Sequence, residues 1–493
     1  MMRLSLNAID QLPTEVARPA YDVGAVRIGI VHLGIGAFHR AHHAVYVDDR
    51  LAAGETEWAI CGASLRSPET ADALGPQDGL YTVAIRSGSG EQLRVIGSVR
   101  HLLVAPQNPV ALLDAMTDPA VRIVSLTVTE KGYCHDPATG DLQPDHPDIA
   151  TDIAAPERAR SAPGILVEAL RRRRASGVAP FTVLCCDNLP ENGHTVGRVL
   201  AQFARLRDPD LGRWVENEVA FPSTMVDRIV PATSDADRAA IADRLGVSDA
   251  WPVMTEPFTQ WVIEDRFSNG RPRFEGAGAE LVADVAPYEL MKLRLLNASH
   301  STLAYLGYLA GYETISDVMT DPDFVRLVQS LMDEEVTPTL PVPPGADLAG
   351  YKRSLLERFA NPALKHRTWQ IAMDGSQKLP QRLLGTIRDH LAAGAPIPRL
   401  ALGVAAWMRY VTGIDEQGRP IDVRDPFAER LRALADAAGP VANRLAPALL
   451  GVHEVFGEDL GRDPRFTKPV TDALDTLFQN GARAAVRGLV SSG

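Results

Sequence analysis

The stretch Glu289 to His300 gathers the groups of this chain best suited to proton chemistry: Lys292, Asn297 and His300, set among leucines. On an α-helix, Asn297 lies about 140° and His300 about 80° from Lys292 in the same sense, so the three share one broad face. Leu293, Leu295 and Leu296 cover much of the remainder, which predicts a largely buried helix. A desolvated lysine can lose its proton near neutral pH, which an arginine does not, and it can therefore act as an acid/base group. An asparagine amide can stabilise a developing oxyanion, and a histidine can orient a hydroxyl. Hydride transfer to a ketone needs these elements: a proton donor for the nascent alkoxide and neutral donors around its oxygen. The same three residues would equally suit a satisfied polar network or a solvent-facing stripe. Only six basic residues are lysines (Lys131, Lys292, Lys352, Lys365, Lys378 and Lys468), which singles out Lys292 and Lys378 as positions where arginine does not serve.

A second cluster lies near the N-terminus. The apolar run Val26 to Val31 leads into Gly34-Ile35-Gly36-Ala37-Phe38 and a helical stretch, His39 to Ala52. A strand, a Gly-x-Gly turn and a helix form the place where a dinucleotide pyrophosphate rests on exposed N–H groups. The third glycine of the usual fingerprint is replaced by His39. After the second strand, Trp58 to Ser64, a carboxylate would hold the ribose hydroxyls of NAD, and a basic group the extra phosphate of NADP. Glu69 favours NAD; Arg66 leaves NADP open. His39, His42 and His43 crowd the helix start but are not read as a metal site. No metal is expected, and lysine would stand in for it as the electrophile.

These clusters need elements to position them. Further strands are predicted at Val121 to Thr129, Phe181 to Cys186 and Val219 to Ile229, with helices at Gly164 to Ala175 and Gly193 to Leu206. Strands alternating with helices predict an α/β fold with a doubly wound parallel sheet of Rossmann type. From about Pro287 the pattern turns to 3.6-residue periods at Glu289 to Ala310, Pro322 to Glu335, Leu348 to Phe359, Gln377 to Ala393 and Leu400 to Thr412. The expected domains are therefore 1–285, dinucleotide-binding, and 286–493, mostly α-helical and carrying the substrate chemistry.

Composition narrows the classes further. At 493 residues the chain has length for two to three domains, and 45% hydrophobic with 23% charged residues is ordinary for a globular protein. A net charge of −12 disfavours nucleic acid and anionic membrane as partners. The basic run Arg171 to Arg174 ends a helical pattern, where cations complement the helix dipole. No apolar stretch is long enough to span a membrane, and Met1 to Arg18 does not read as a signal peptide. Cys61, Cys134, Cys185 and Cys186 form no CxxC pair. A cytoplasmic location, a reducing compartment, is expected.

Nearly the whole chain, from about Arg27 to Val486, resembles the polyol-specific long-chain dehydrogenases/reductases, the mannitol dehydrogenase family. The resemblance is carried by Gly34-Ile35-Gly36-Ala37-Phe38-His39-Arg40-Ala41-His42, Thr127-Val128-Thr129-Glu130, Cys186-Asp187-Asn188-Leu189-Pro190-Glu191-Asn192-Gly193, Met225 to Pro231 and the Lys292/Asn297/His300 helix. It implies that Lys292 is the general acid/base, that Asn188 and Asn297 form the oxyanion hole, and that His300 orients the substrate. Lys378 matches a substrate-binding lysine, and Glu130 and Glu289 match acidic residues on a proton path. Gly34, Ile35, Gly36, Phe38, Glu69 and Asp227 fall at cofactor positions, Asp227 near the nicotinamide. Family members work without a metal. Where mannitol dehydrogenases carry an arginine eight residues before the Lys378 position, this chain has Gln370, and the stretch His366 to Arg382 is more similar to the fructuronate reductase branch. A hexuronate carries a carboxylate that arginine could pair with bidentately, and Arg367, Arg382 and Arg294 are the candidates, with Lys131 and Lys378 as further sources of charge. The resemblance thus implies NAD(H)-dependent, reversible reduction of D-fructuronate to D-mannonate at C2. Alternatives are the same chemistry on D-fructose and D-mannitol, a related sugar acid or polyol, or a non-catalytic NAD-binding regulator. The intact set Asn188, Lys292, Asn297 and His300 argues against the last.

Overall fold

The computed structural model describes residues 2–136, 139–343 and 345–491. The chain divides into two compact units, Met1–Ala286 and Pro287–Gly493. In the first, five parallel strands form one sheet: β1 (Ile28–Leu33), β2 (Ala59–Ser64), β3 (Val99–Val104), β4 (Ile123–Leu126) and β5 (Thr182–Cys185). Their order is β3-β2-β1-β4-β5. The chain runs outward from β1 to β3 and then returns to β4 on the other side of β1. This reversal opens a crevice beyond the carboxyl ends of the strands, where ligands of such sheets bind. The strands read as apolar runs because both faces are covered: Val31, Leu33, Val124 and Leu126 pack on one side, Ile30, Ile60, Ile123 and Leu184 on the other.

Two expectations change here. Within the predicted Val219 to Ile229 only Thr224–Asp227 is a strand, and it joins a separate small sheet, antiparallel to Gln260–Glu264. The helix predicted over His39 to Ala52 breaks at His42 (φ −120°, ψ −89°) into Ala37–Ala41 and His43–Ala52. A hairpin that the sequence reading overlooked, Tyr81–Ser87 with Gly90–Ile96, is joined in parallel by Val253–Thr255. The basic run closes the helix Ala162–Ala175 as expected, and it is tied down: Arg171, Arg172 and Arg207 all donate to the buried Glu168. These three guanidinium groups outweigh the effect of burial and hold the Glu168 carboxyl down to about 2.

The second unit is helical. Its central helix, Ala298–Leu309, is buried along nearly its whole length and packs on Pro398–Tyr410 and Thr368–Ala372. Three of the long periodic segments contain a π-helical turn where the period predicts uninterrupted α-helix: Lys292–Asn297, Leu331–Val336 and Pro380–Leu384. Each widens the ladder from i→i+4 to i→i+5; the Ala298 N–H, for example, bonds to Leu293 O. At Pro380 the cause is local, since proline has no N–H and clashes with the carbonyl four residues before it.

Candidate active site

The glycine turn sits at the reversal of strand order. Gly34 has φ +93°, and a Cβ there would lie 2.2 Å from Thr127 O, so the turn is pressed against the residue following β4. At Gly36 a Cβ would meet nothing closer than 3.8 Å, so its backbone faces open space. Ile35 is buried over Gly62 of β2 and fixes the turn to the sheet. Phe38 stacks on His42 with ring centroids 5.1 Å apart. Gly34, Ile35 and Gly36 line a crevice of about 470 Å³, with Ser64, Leu65, Arg66, Ser67 and Thr70 on the β2 side. That volume suits a bound nucleotide. Glu69, the first residue of the helix Glu69–Leu74, is exposed and does not line the crevice.

Behind the turn the histidines gather. His39 stacks on His32 at 3.4 Å, and ring nitrogens of His32, His39 and His43 lie within 4.8 Å of one another. Burial pushes all three well below the usual histidine range, His43 to about 3, which keeps the stack neutral. Reading the helix start as mere crowding overlooked His32, which β1 contributes from seven positions upstream of His39.

The segments after β4 and β5 are bound together by Asp187. Its carboxylate accepts the backbone N–H groups of Val128 and Thr129, both at 3.0 Å, and the Tyr133 hydroxyl at 2.6 Å. Asn192 adds a second tie, donating to the carbonyls of Asp187 and Thr224 and accepting from Thr224 N–H. Glu130 and Asn188 stand exposed on these two segments, and Asp227 closes the strand Thr224–Asp227, buried.

In the second unit Lys292, Asn297 and His300 are all buried, at 7%, 8% and 7% exposure, as the leucine pattern predicts. The π-helical turn changes their angular relation. With i→i+5 bonding, Asn297 lies about one turn above Lys292, which brings the two residues closer in projection than the 140° of a regular α-helix. Glu289 is half-buried in the preceding helix, Ala286–Met291.

Around His300 the structure assembles a group that no local pattern betrays. Its ring stacks on Phe359 at 5.2 Å and meets His366 edge-on at 4.8 Å. Burial, together with the positive fields of His366, Arg382, Arg358 and Lys378, drives His300 well below its ordinary range, so the ring is a neutral imidazole at pH 7. Arg382 belongs to the turn Pro380–Leu384 and donates to Ser301 Oγ at 2.9 Å. Lys378 donates to Ile371 O at 3.3 Å and Met373 O at 2.5 Å, and its short helix is anchored by Ser376 on Asp425. Arg358 is buried on the helix Leu348–Phe359. Arg358 escaped the sequence reading, and His366 stood in it only as the first residue of a branch-like stretch, for want of any motif linking either to residue 300. Two carboxylate candidates are placed elsewhere. Arg367 is 65% exposed and faces Glu313 at 3.7 Å, and Arg294 is engaged by Asp389 at 2.5 Å and by Thr339.

A Rossmann-type sheet with a nucleotide-sized crevice, and a helical unit with a buried Lys/Asn/His turn, define a dehydrogenase-like oxidoreductase. Comparison with known proteins gives the family. Residues 28–276 match the mannitol dehydrogenase Rossmann domain and residues 284–478 the mannitol dehydrogenase C-terminal domain. The chain is 49% identical over 478 residues to the D-mannonate oxidoreductase of Escherichia coli (strain K12), covering 96% of this chain and 98% of that one. It is 45% identical over 491 residues to the mannitol 2-dehydrogenase of Phaeosphaeria nodorum, covering 98% and 85%. The solved structure of Pseudomonas fluorescens mannitol 2-dehydrogenase, a ternary complex with NAD and D-mannitol, superimposes with a TM-score of 0.93 at 41% identity over the full length of both chains. This chain belongs to the mannitol dehydrogenase family and is an oxidoreductase acting on CH–OH groups. Among the described residues, no helix is long and apolar enough to cross a membrane.

Proposed function

We propose that this protein reduces D-fructuronate reversibly to D-mannonate with NAD(H). The observation that carries the substrate is the charge around His300: Arg382 donates to Oγ of the adjacent Ser301 at 2.9 Å, and the positive fields of Arg382, Arg358 and Lys378 all reach the neutral imidazole. A hexuronate carboxylate is matched by a planar guanidinium and a lysine. The relationship to the D-mannonate oxidoreductase supports the same substrate. The glycine turn and the crevice beside it fit a dinucleotide, and the related NAD complex supports that cofactor. When bound, the nicotinamide supplies or accepts the hydride.

The chain's own residues do the rest. Lys292 holds the proton that the substrate oxygen gains on reduction and loses on oxidation. Asn297, with Asn188 assigned to the same role by family resemblance, donates to that oxygen as charge develops. His300, kept neutral, orients a substrate hydroxyl, and Lys378 and Arg382 hold the carboxylate end. Glu289 passes the proton from Lys292 toward solvent, and Glu130 is assigned to the same path by family resemblance. The burial of Lys292 limits water around the reacting oxygen, so each donor acts at low dielectric. The test is the initial rate of NADH oxidation with D-fructuronate and D-fructose side by side. A much larger kcat/KM for fructuronate is expected; a preference for fructose would overturn the substrate assignment.

A further inference from the structure

Strained backbone is concentrated on the two segments that follow β4 and β5. Among the described residues, six non-glycine residues have positive φ, and three of them, Thr129, Cys134 and Glu191, lie there. Thr129 is the costly one. At φ +68° and ψ 161° it occupies a region essentially reserved for glycine, and its β-branched side chain restricts it further. Such a conformation persists only where surrounding bonds over-determine it. The Thr129 side chain does not supply them: it is exposed and forms no cap on the turn Glu130–Tyr133 that it precedes.

The bonds come from Asp187. Its Oδ1 accepts the Thr129 N–H and its Oδ2 the Val128 N–H, both at 3.0 Å. Oδ2 also takes the hydroxyl of Tyr133 at 2.6 Å, from the fully buried ring that ends the same turn. One carboxylate therefore grips both ends of the turn that carries Glu130, and its own backbone leads directly into Asn188. An asparagine there would keep the shape but offer one oxygen. Its NH₂ would have to face either the Thr129 or the Val128 N–H, leaving one backbone donor without its acceptor.

We propose that Asp187 is a positioning residue, its two carboxylate oxygens holding Thr129 in the strained conformation that aims Glu130 and fixes Asn188. This rests on the roles given to Glu130 and Asn188 above, and the experiment separates the two. Hydrogen–deuterium exchange over residues 127–134 and kcat on the preferred one of D-fructuronate and D-fructose are measured for full-length Asp187→Asn, Thr129→Gly and the double variant. In Asp187→Asn exchange of the segment should speed up. Its kcat should fall about 10- to 100-fold, the cost of an unheld glycine-only conformation, with KM for the sugar nearly unchanged. Thr129→Gly alone should keep turnover near the wild-type level, because glycine adopts positive φ freely. Added to Asp187→Asn, it should shrink the loss to a few-fold, a rescue that a merely structural role for Asp187 would not give. Tyr133→Phe releases one end of the turn while keeping the ring's packing, and it covers the case in which Asp187→Asn fails to fold. It should speed up exchange and lower kcat about fivefold. Exchange unchanged in either variant, or a loss that Thr129→Gly does not reduce, overturns the clamp. Faster exchange with unchanged kcat leaves the clamp standing but overturns its positioning role, and with it the reading of Glu130 and Asn188.

Discussion

Arg382→Ala tests the substrate assignment most directly. The guanidinium is half-buried, bonded to Ser301 Oγ at 2.9 Å, and close enough to His300 to depress its protonation. Its removal takes away a charged partner for the substrate carboxylate, which is worth about 1.5–3 kcal/mol, or about 10- to 150-fold. On a neutral ketose the same position meets a hydroxyl, where a lost hydrogen bond is worth about 1 kcal/mol, roughly fivefold. The assay is kcat/KM for D-fructuronate and D-fructose at low ionic strength, with thermal unfolding as a control for the loss of the Ser301 contact. The ratio of the two constants should fall about tenfold, chiefly through KM for fructuronate. Arg382→Lys, which keeps the charge but not the planar fork, should recover part of the loss. An equal loss on both substrates would mean that Arg382 supports His300 and Ser301 structurally, and the carboxylate argument would fail.

Four further outcomes are expected. Lys292→Ala should lower turnover by about 10²- to 10⁴-fold, the usual worth of a general acid/base, while NADH binding measured by fluorescence survives because the crevice belongs to the first unit. Deleting Leu293 should let the π-helical turn relax to i→i+4 bonding; the circular dichroism should stay helical while turnover collapses, and retained turnover would refute a role for the turn. Gly34→Ala should unfold at lower temperature and weaken NADH binding, because its Cβ would meet Thr127 O at a φ of +93°. Acid should destabilise the protein early. Burial lowers His366 to about 4 and His43 to about 3, so the unfolded chain takes up protons first as pH falls through 6.5. The contribution of each is present above that pH and lost below it, as much as about 3 kcal/mol for His366 by pH 4. His366→Asn should flatten the fall of Tm between pH 6.5 and 4.

The central strands were legible because parallel strands buried on both faces leave unbroken apolar runs, as at Ile28–Leu33 and Thr182–Cys185. The change to helical periodicity near residue 287 was legible for a similar reason. The π-helical turns were not. One residue per turn beyond the α-helical count keeps leucines in plausible places, so Glu289 to Ala310 reads as a single helix although its ladder widens at Lys292. The Lys/Asn/His turn could be found because its members are close in sequence. Arg358, on the helix Leu348–Phe359, and His366, in the segment before the helix Thr368–Ala372, reach His300 only through tertiary packing, and no spacing rule reports that. The β2 border divided along the same line: Glu69 and Arg66 are three residues apart, and only the backbone path after Ser64 decides which lines the crevice.

The cations gathered about His300 also bear on how the protein is handled. The chain as a whole is anionic, at −12, and repels small anions at long range, but Arg358, Lys378 and Arg382 set positive fields around the buried His300, where burial weakens screening by salt. Arginine forks do not distinguish a sugar carboxylate from citrate, sulfate or phosphate by charge. On the proposed function, a purification or assay buffer built on those ions is therefore expected to compete with the substrate, raising apparent KM in proportion to its concentration. Zwitterionic buffers with chloride as counter-ion are expected to leave these cations to the substrate.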